Sequence, residues 1–319
     1  MNDMVVVRDK KDMRNWSRAR KRDGERVALV PTLGSLHEGH LLLVKMAKAK
    51  AERVVVSIYV NPGQFAPGED FSIYPRNFEA DLEKLKPFQV DVVFNPYDLY
   101  VQDEPADKDD SKSRREGQDA NGKKAESVSL VGGDESCTGH ETWIRVERLE
   151  KHLCGKSRPV FFRGVATVVA KLLNIVEPDV AIFGRKDFQQ WRVICNMVRD
   201  LDFSIEIIGA PLVREPDGLA MSSRNVRLTS DERKQALVIS RSLKEAEALV
   251  KGGETNAAKL TELVHNAITA AGGRVDYVET VEQSSLRPVT VLKAPAVIAV
   301  AAHFGSVRLL DNIELQLPS

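Results

Sequence analysis

Two histidines stand three positions apart in His37-Glu38-Gly39-His40, inside the run Val27-Ala-Leu-Val-Pro-Thr-Leu-Gly-Ser-Leu-His-Glu-Gly-His-Leu-Leu-Leu-Val44. Imidazoles donate and accept hydrogen bonds near neutral pH, so a close pair suits contact with a phosphate or with charge developing on one. The run opens as an apolar strand, breaks at Pro31 and Gly34, and resumes with apolar residues at helical spacing. A strand that feeds a helix through a glycine loop offers unpaired N–H groups and the positive end of the helix dipole to an anion. Either histidine alone would pass for a surface or capping residue. The pair, the loop and the helix start together favour a phosphate-facing role.

Three further loops carry polar side chains at strand ends. Arg53 to Val60 has the β-branched character of a strand buried on both faces, and it ends in Asn61-Pro-Gly-Gln64. Asp179 to Gly184 is a second such strand, followed by Arg185-Lys186-Asp187-Phe-Gln-Gln190. Pro211-Leu-Val213 leads through Asp217-Gly218 to Met221-Ser222-Ser223-Arg224. Lys186 is a mobile point charge suited to a polyphosphate. Ser222, Ser223 and Arg224 are phosphate partners. Gln64 and Gln190 are uncharged donor–acceptor groups, better suited to a hydroxylated or carboxylated small molecule. Singly, each has a plain structural role, and Asp187 is equally readable as a helix N-cap. Convergence at the carboxyl ends of one sheet favours a nucleotide site.

The elements that must position these loops alternate strand and helix. A basic amphipathic helix spans 10–22, a helix about 77–86, a strand Val90 to Phe94, a helix Val165 to Val176, a helix reaching about Leu201, and a strand Ser204 to Ile208. This rhythm predicts an α/β fold with a doubly wound, Rossmann-like parallel sheet over residues 1–222. Residues 102–136 are charged and nearly devoid of apolar side chains, and are expected to form a flexible insertion, as a loop excursion or a regulatory segment. Beyond a boundary near Ser222–Asn225 the pattern changes. Thr229 marks an N-cap, helices span roughly 230–250 and 254–271, and strands begin at Val275, Ala296 and Val307. A smaller α+β domain, 223–319, is expected there.

Charge is balanced across the 319 residues, with 46 basic and 46 acidic side chains, which argues against nucleic-acid binding driven by overall charge. The cysteines, Cys137, Cys154 and Cys195, are odd in number and widely spaced, matching neither a disulfide framework nor a zinc pattern. No apolar run approaches the roughly 20 residues of a membrane span, and the N-terminus has acidic residues without an apolar signal core. The expectation is a cytosolic protein without a membrane partner. There is no G-x-x-x-x-G-K-[ST] loop and no G-x-G-x-x-G after the first strand. Histidine where a P-loop carries lysine points to chemistry at the α-phosphate.

The runs Pro31–His40, Val60–Phe65, Tyr74-Pro-Arg76, Phe162–Val165, Phe183–Gln190 and Glu215–Asn225 resemble the pantothenate synthetase (pantoate–β-alanine ligase) family, within the HxGH nucleotidyltransferase superfamily. The resemblance spans the chain apart from the insertion, in family order and spacing. It implies that pantoate attacks the α-phosphorus of ATP to give pantoyl adenylate and pyrophosphate. The amine of β-alanine then releases AMP and forms pantothenate. Mg²⁺ accompanies the ATP, and a homodimer is implied.

By match of motif, the ATP site comprises Leu33, Gly34, Ser35, Leu36, His37, Glu38, Gly39, His40, Gly184, Arg185, Lys186, Asp187, Val213, Met221, Ser222, Ser223 and Arg224. His40, His37, Lys186, Ser222, Ser223 and Arg224 carry the catalytic roles, with His40 at the position the family treats as the active-site residue. Gln64 holds pantoate and β-alanine, Gln190 holds pantoate, and Asn61 and Tyr74 belong to the pocket wall. Met221-Ser-Ser-Arg224 is similar to the mobile KMSKS-like loop that closes over a triphosphate. Leu33 replaces the family's methionine, a volume-conserving change. Arg185 and Phe161 depart from bacterial members and, with the insertion, are similar to the plant-type branch. The acidic cluster around Asp81 is thin, so no protein metal ligand is assigned. Two alternatives stay open: an HxGH nucleotidyltransferase acting on a phosphorylated acceptor, which would retain AMP in its product, and a nucleotide-binding regulatory module without turnover.

Overall fold

A computed structural model describes residues 4–66, 68–100 and 140–317. The expected insertion at 102–136 and Cys137 lie outside the described residues. Six parallel strands form one sheet in the order β1-β4-β3-β2-β5-β6. They are β1 (Val5–Val7), β2 (Val27–Thr32), β3 (Arg53–Ile58), β4 (Val92–Phe94), β5 (Val180–Gly184) and β6 (Glu206–Ala210). The helices between them are α1 (Lys10–Arg22), α2 (Glu38–Lys48), α3 (Phe78–Leu85), the short α4 (Cys154–Ser157), α5 (Phe161–Val176) and α6 (Phe188–Asp200).

Alternation along the central strand sorts these helices onto two faces. Val27 and Leu29 of β2 join a core with Met13 of α1 and the apolar faces of α5 and α6. Ala28 and Val30, pointing the other way, join Leu41 and Val44 of α2 and Leu85 of α3. This is the doubly wound architecture expected, with both faces of the parallel sheet covered. The order of strands reverses between β2 and β5, and there the ladder stops early. Only Ala28↔Val180 and Leu29↔Ala181 pair, whereas β2 pairs with β3 as far as Thr32↔Ile58. A crevice therefore opens where a doubly wound sheet binds its ligands, outside the carboxyl ends of the strands.

The second layer contains α7 (Ser230–Lys251), α8 (Ala257–Ala270) and an antiparallel sheet of β7 (Arg274–Glu282), β8 (Ala296–Phe304) and β9 (Val307–Leu315). Thr229 caps α7 in a reciprocal box with Glu232. Ile298 and Val300 of β8 pack with α7 and α8. Val297 and Ala299 face the first core, so β8 ties the two layers together.

Several boundaries differ from expectation. The edge strand β1 is additional to the expected elements, because three valines are too short to signal periodicity. α5 starts at Phe161, four residues before the expected Val165. α8 starts at Ala257, since Asn256 caps it by accepting from Lys259 N–H. β6 lies two residues later than expected, because its register against β5 pairs Glu206 with Val180 and Ala210 with Gly184.

The early start of α5 brings Gly164 against the turn that carries Gln64. A Cβ on Gly164 would stand 1.9 Å from the Gly63 carbonyl oxygen and 2.6 Å from the Gln64 nitrogen. Neither neighbour is a flexible side chain that could move aside. Gly164→Ala should destabilise the fold by about 1–3 kcal/mol, the usual cost of overpacking. Denaturant unfolding measures this, and an unchanged midpoint would contradict the close approach.

Candidate active site

The turn from β2 into α2 sets the geometry. Thr32 Oγ1 donates to the Ser57 carbonyl and accepts from Gly34 N–H, closing the end of the strand. Gly34 (φ 85°) and Ser35 (φ 52°) are both left-handed, reversing the chain sharply. Asp81 of α3 then accepts from Ser35 N–H at 2.8 Å and Leu36 N–H at 2.7 Å. Lys84, one turn further along α3, donates to the Leu36 carbonyl at 2.6 Å. Asp81 is only 1% exposed, and a carboxylate so buried requires such partners.

His37 is the N-cap of α2, and the two rings cap reciprocally. Gly39 N–H donates to His37 Nδ1, and His37 N–H donates to His40 Nδ1, both at 3.2 Å. A neutral imidazole whose Nδ1 accepts carries its proton on Nε2. Both rings therefore offer an Nε2–H donor, and both line the cleft. Gly39 is required beneath them, since a Cβ there would stand 2.9 Å from His37 Cε1. The expectation that unpaired helix amides meet the anion is narrowed here, because most amides of the turn are engaged. Ser35 and Leu36 N–H are taken by Asp81, Gly39 N–H by His37, and His40 N–H by the His37 carbonyl.

One cleft of about 1070 Å³ collects the expected loops, just above the roughly 300–1,000 Å³ typical of ligand sites and so roomy enough for more than one small molecule. Leu33, His37, Gly39, His40, Asn61, Gln64, Tyr74, Gly184, Lys186, Asp187, Gln190, Val213 and Met221 to Arg224 all line it. Gly34, Ser35, Leu36, Glu38 and Arg185 do not. Gly34 to Leu36 shape the turn from behind, Glu38 is exposed in the first turn of α2, and Arg185 donates to Glu314 of β9 at 2.6 Å. Asp187 occupies the N-cap position of α6 without a side-chain cap bond. Its carboxylate lies 3.7 Å from Lys186 Nζ.

Gln64 and Gln190 differ from their neighbour Gln189. Gln189 is satisfied internally by Cys154 N–H and the Leu149 and His152 carbonyls. Gln64 Oε1 accepts from Asn61 Nδ2 at 2.9 Å, which leaves its Nε2 donor for the cleft. Asn61, 1% exposed, is spent on internal bonds. It donates also to the Gly164 carbonyl and accepts from Gly63 N–H and Tyr100 OH. It fixes Gln64 more than it offers a contact of its own.

The fourth loop is a small hairpin, with Arg214 bridged to Ala220 and Met221 N–H donating to the Val213 carbonyl. Asn225 braces it through Glu215 and the Ala220 carbonyl. Ser223 meets Tyr74 OH at 3.2 Å. Arg224 is paired twice with Asp70, at 2.8 and 3.0 Å. Reading the sequence missed Asp70, Tyr100, Asp311 and Asn312, and weighed Asp81 only as a metal ligand. Their partners are backbone groups or side chains far along the chain, which no local spacing announces.

Together, the doubly wound sheet and a polar cleft at its switch point define an α/β enzyme. The family model of pantoate-beta-alanine ligase matches residues 5–314, and the chain belongs to that family. It is 56% identical over 314 residues to the pantoate–beta-alanine ligase of Arabidopsis thaliana, covering 98% of each chain. Among solved structures it is similar to pantothenate synthetase from Thermus thermophilus (38% identity, TM-score 0.81, 99% and 100% of the two chains). It is also similar to pantoate-beta-alanine ligase from Francisella tularensis, solved with beta-gamma ATP and beta-alanine (30% identity, TM-score 0.70, 98% and 97%).

Two predictions follow from the histidine turn. Burial, then the charge of Lys186, lowers the pKa of His37 from 6.5 to about 4. Burial, then His37, lowers that of His40 from 6.5 to about 3. Both rings are neutral at pH 7. The unfolded chain takes up these protons near 6.5 and the folded chain does not, so their stabilisation is complete above pH 6.5 and is lost as pH falls towards 4 and 3. His37→Asn should flatten the fall in unfolding free energy between pH 6.5 and 4; an unaltered slope would contradict burial as the cause. Separately, Asp81→Asn sets an amide N–H₂ against one backbone donor. It should cost about 1–3 kcal/mol in denaturant unfolding and slow turnover, and wild-type values for both would refute the turn's dependence on the carboxylate.

Proposed function

We propose that the protein joins pantoate to β-alanine at the expense of ATP, through a pantoyl-adenylate intermediate, and releases AMP and pyrophosphate. The observation that carries this is the meeting of His37, His40, Lys186 and the Met221–Arg224 loop with Gln64 and Gln190 in one cleft. Membership of the pantoate–β-alanine ligase family supports it. So does the complex of the Francisella relative with beta-gamma ATP and beta-alanine.

In the first step a carboxylate oxygen of pantoate bonds to the α-phosphorus, and the bond to pyrophosphate breaks. In the second, the amine of β-alanine bonds to the acyl carbon, the bond to AMP breaks, and the nitrogen loses a proton. Negative charge grows on the phosphoryl oxygens during the first step. The Nε2–H donors of His37 and His40 would meet it already oriented, with no change of protonation, which is how fixed dipoles stabilise a transition state. Lys186 supplies a full positive charge to the phosphates. Arg224 reaches a phosphate by sharing or leaving Asp70, and Ser222 and Ser223 add hydroxyls. Gln64 and Gln190 hold pantoate, with Gln64 also beside β-alanine.

Among the described residues no group of three His, Cys, Asp or Glu side chains could hold a metal. Asp81 and Asp70 are committed to backbone amides and arginines. Mg²⁺ would accordingly enter on the triphosphate, with water and one or two carboxylates completing its shell. A cytosolic homodimer, which the family resemblance implies, and a division of the chain near Ser222, after which α7, α8 and the antiparallel sheet follow, belong to the same proposal.

Incubation with ATP, pantoate and β-alanine should release AMP and pyrophosphate only when pantoate is present. Pantoate-independent AMP, or AMP retained in the product, would refute the ligase. His40→Ala should lower kcat by about 10²–10³-fold, as for loss of one oxyanion donor, while ATP binding changes far less. Equal loss of both would contradict a transition-state role.

A further inference from the structure

The two loops that bring charge to the phosphates are held by one short stretch of β9. Asn312, buried, donates its Nδ2 to the carbonyls of both Arg185 and Lys186, each at 2.9 Å. Its neighbour Asp311, also buried, pairs twice with Arg214, at 2.7 and 2.9 Å. The same carboxylate accepts the backbone N–H of Asn312 at 2.8 Å, which holds the Asp311 side chain against its neighbour's backbone. Arg214 stands at the base of the hairpin that ends in Met221, and also donates to the Gly218 carbonyl within it. Glu314, two residues on, takes the Arg185 side chain away from the cleft.

The chemistry of each position is dictated by its partner. Two carbonyl acceptors require the two N–H donors of an amide, and a carboxylate at 312 would offer them none. A guanidinium fork requires the two oxygens of a carboxylate, and a charge as buried as that of Asp311 is tolerated only when so paired. Fixing two successive peptide planes also fixes the direction in which Lys186 leaves the backbone. A lysine has a long, rotamer-rich stem, so holding its root narrows where the ammonium can go.

We propose that Asp311 and Asn312 are positioning residues of the nucleotide site, which set Lys186 and the Met221–Arg224 loop relative to each other from the second sheet. The proposal rests on the reading that these groups hold ATP. Asn312 acts through the 185–187 turn and Asp311 through the Arg214 hairpin. Both border the cleft, but their polar side-chain atoms are engaged with Arg214 and with the Arg185 and Lys186 carbonyls.

The test is a double-mutant cycle on the full chain, with KM for ATP and for pantoate and kcat measured separately. Asn312→Ala should raise the KM for ATP about tenfold by releasing the turn, while the KM for pantoate stays near wild type and unfolding remains cooperative with a lowered midpoint. In a Lys186→Ala background the same change should add less than about twofold, because the group it positions is gone. Full additivity of the two, or equal damage to both KM values, overturns the positioning role. A Lys186→Ala variant with normal ATP kinetics instead overturns the phosphate reading beneath it. Should Asn312→Ala fail to fold, Asp311→Asn carries the same cycle against Arg224→Ala, with coupling supporting the proposal and additivity overturning it.

Discussion

The cleft depends first on the carboxylate of Asp81. Two consecutive left-handed residues, Gly34 and Ser35, reverse the chain between β2 and α2, and at Ser35 the side chain makes that conformation cost about 1–2 kcal/mol. Two charge-assisted hydrogen bonds from Ser35 and Leu36 N–H to Asp81 offset the strain. Lys84, on the same face of α3, holds the Leu36 carbonyl. Only with the turn fixed does His37 fall at the N-cap, where its Nδ1 can cap the helix and leave Nε2 for the cleft. An acidic side chain outside the cleft lining thus decides where the two donors point.

Much of this architecture was legible in the chain, for physical reasons that differ by element. β2, β3 and β5 are buried on both faces, so they stand out as unbroken apolar runs. Strand ends followed by polar loops indicated the crevice, because a doubly wound sheet brings its carboxyl ends together. What stayed hidden was the support behind those loops. Asp81 reaches its partner across 45 positions and Asn312 across 126, and in both cases the partner is a backbone group, identical in every residue. Arg185 illustrates the converse. Its neighbours in sequence suggested a nucleotide contact, but Glu314 draws its guanidinium to β9.

Charge in the cleft is arranged so that few groups need to change state. The histidines are neutral and lie with ring centroids 4.0 Å apart, a separation at which two imidazolium charges would repel strongly in a partly dry site. Their low affinity for protons follows first from burial, then from the charge of Lys186 at His37 and from His37 at His40. Fixed positive charge comes from Lys186, while Arg224 is balanced by Asp70. Because the whole chain carries no net charge, attraction of a polyphosphate is left to these local groups and not to a long-range field.

The orientation of Gln64 bears on which molecule can be activated. An amide can present either its oxygen or its nitrogen, and the two choices select opposite partners. Here Tyr100 OH and Gly63 N–H both donate to Asn61 Oδ1, which forces Asn61 Nδ2 toward Gln64. Gln64 must then answer with its oxygen, and its nitrogen is the end left for the cleft. A hydrogen-bond chain that begins at a buried tyrosine therefore turns a neutral side chain into a donor. A donor at that place favours an oxygen acceptor such as a carboxylate and disfavours an ammonium group. The same polarity suits a molecule whose carboxylate oxygen is to attack phosphorus, because an uncharged donor holds that oxygen without neutralising it.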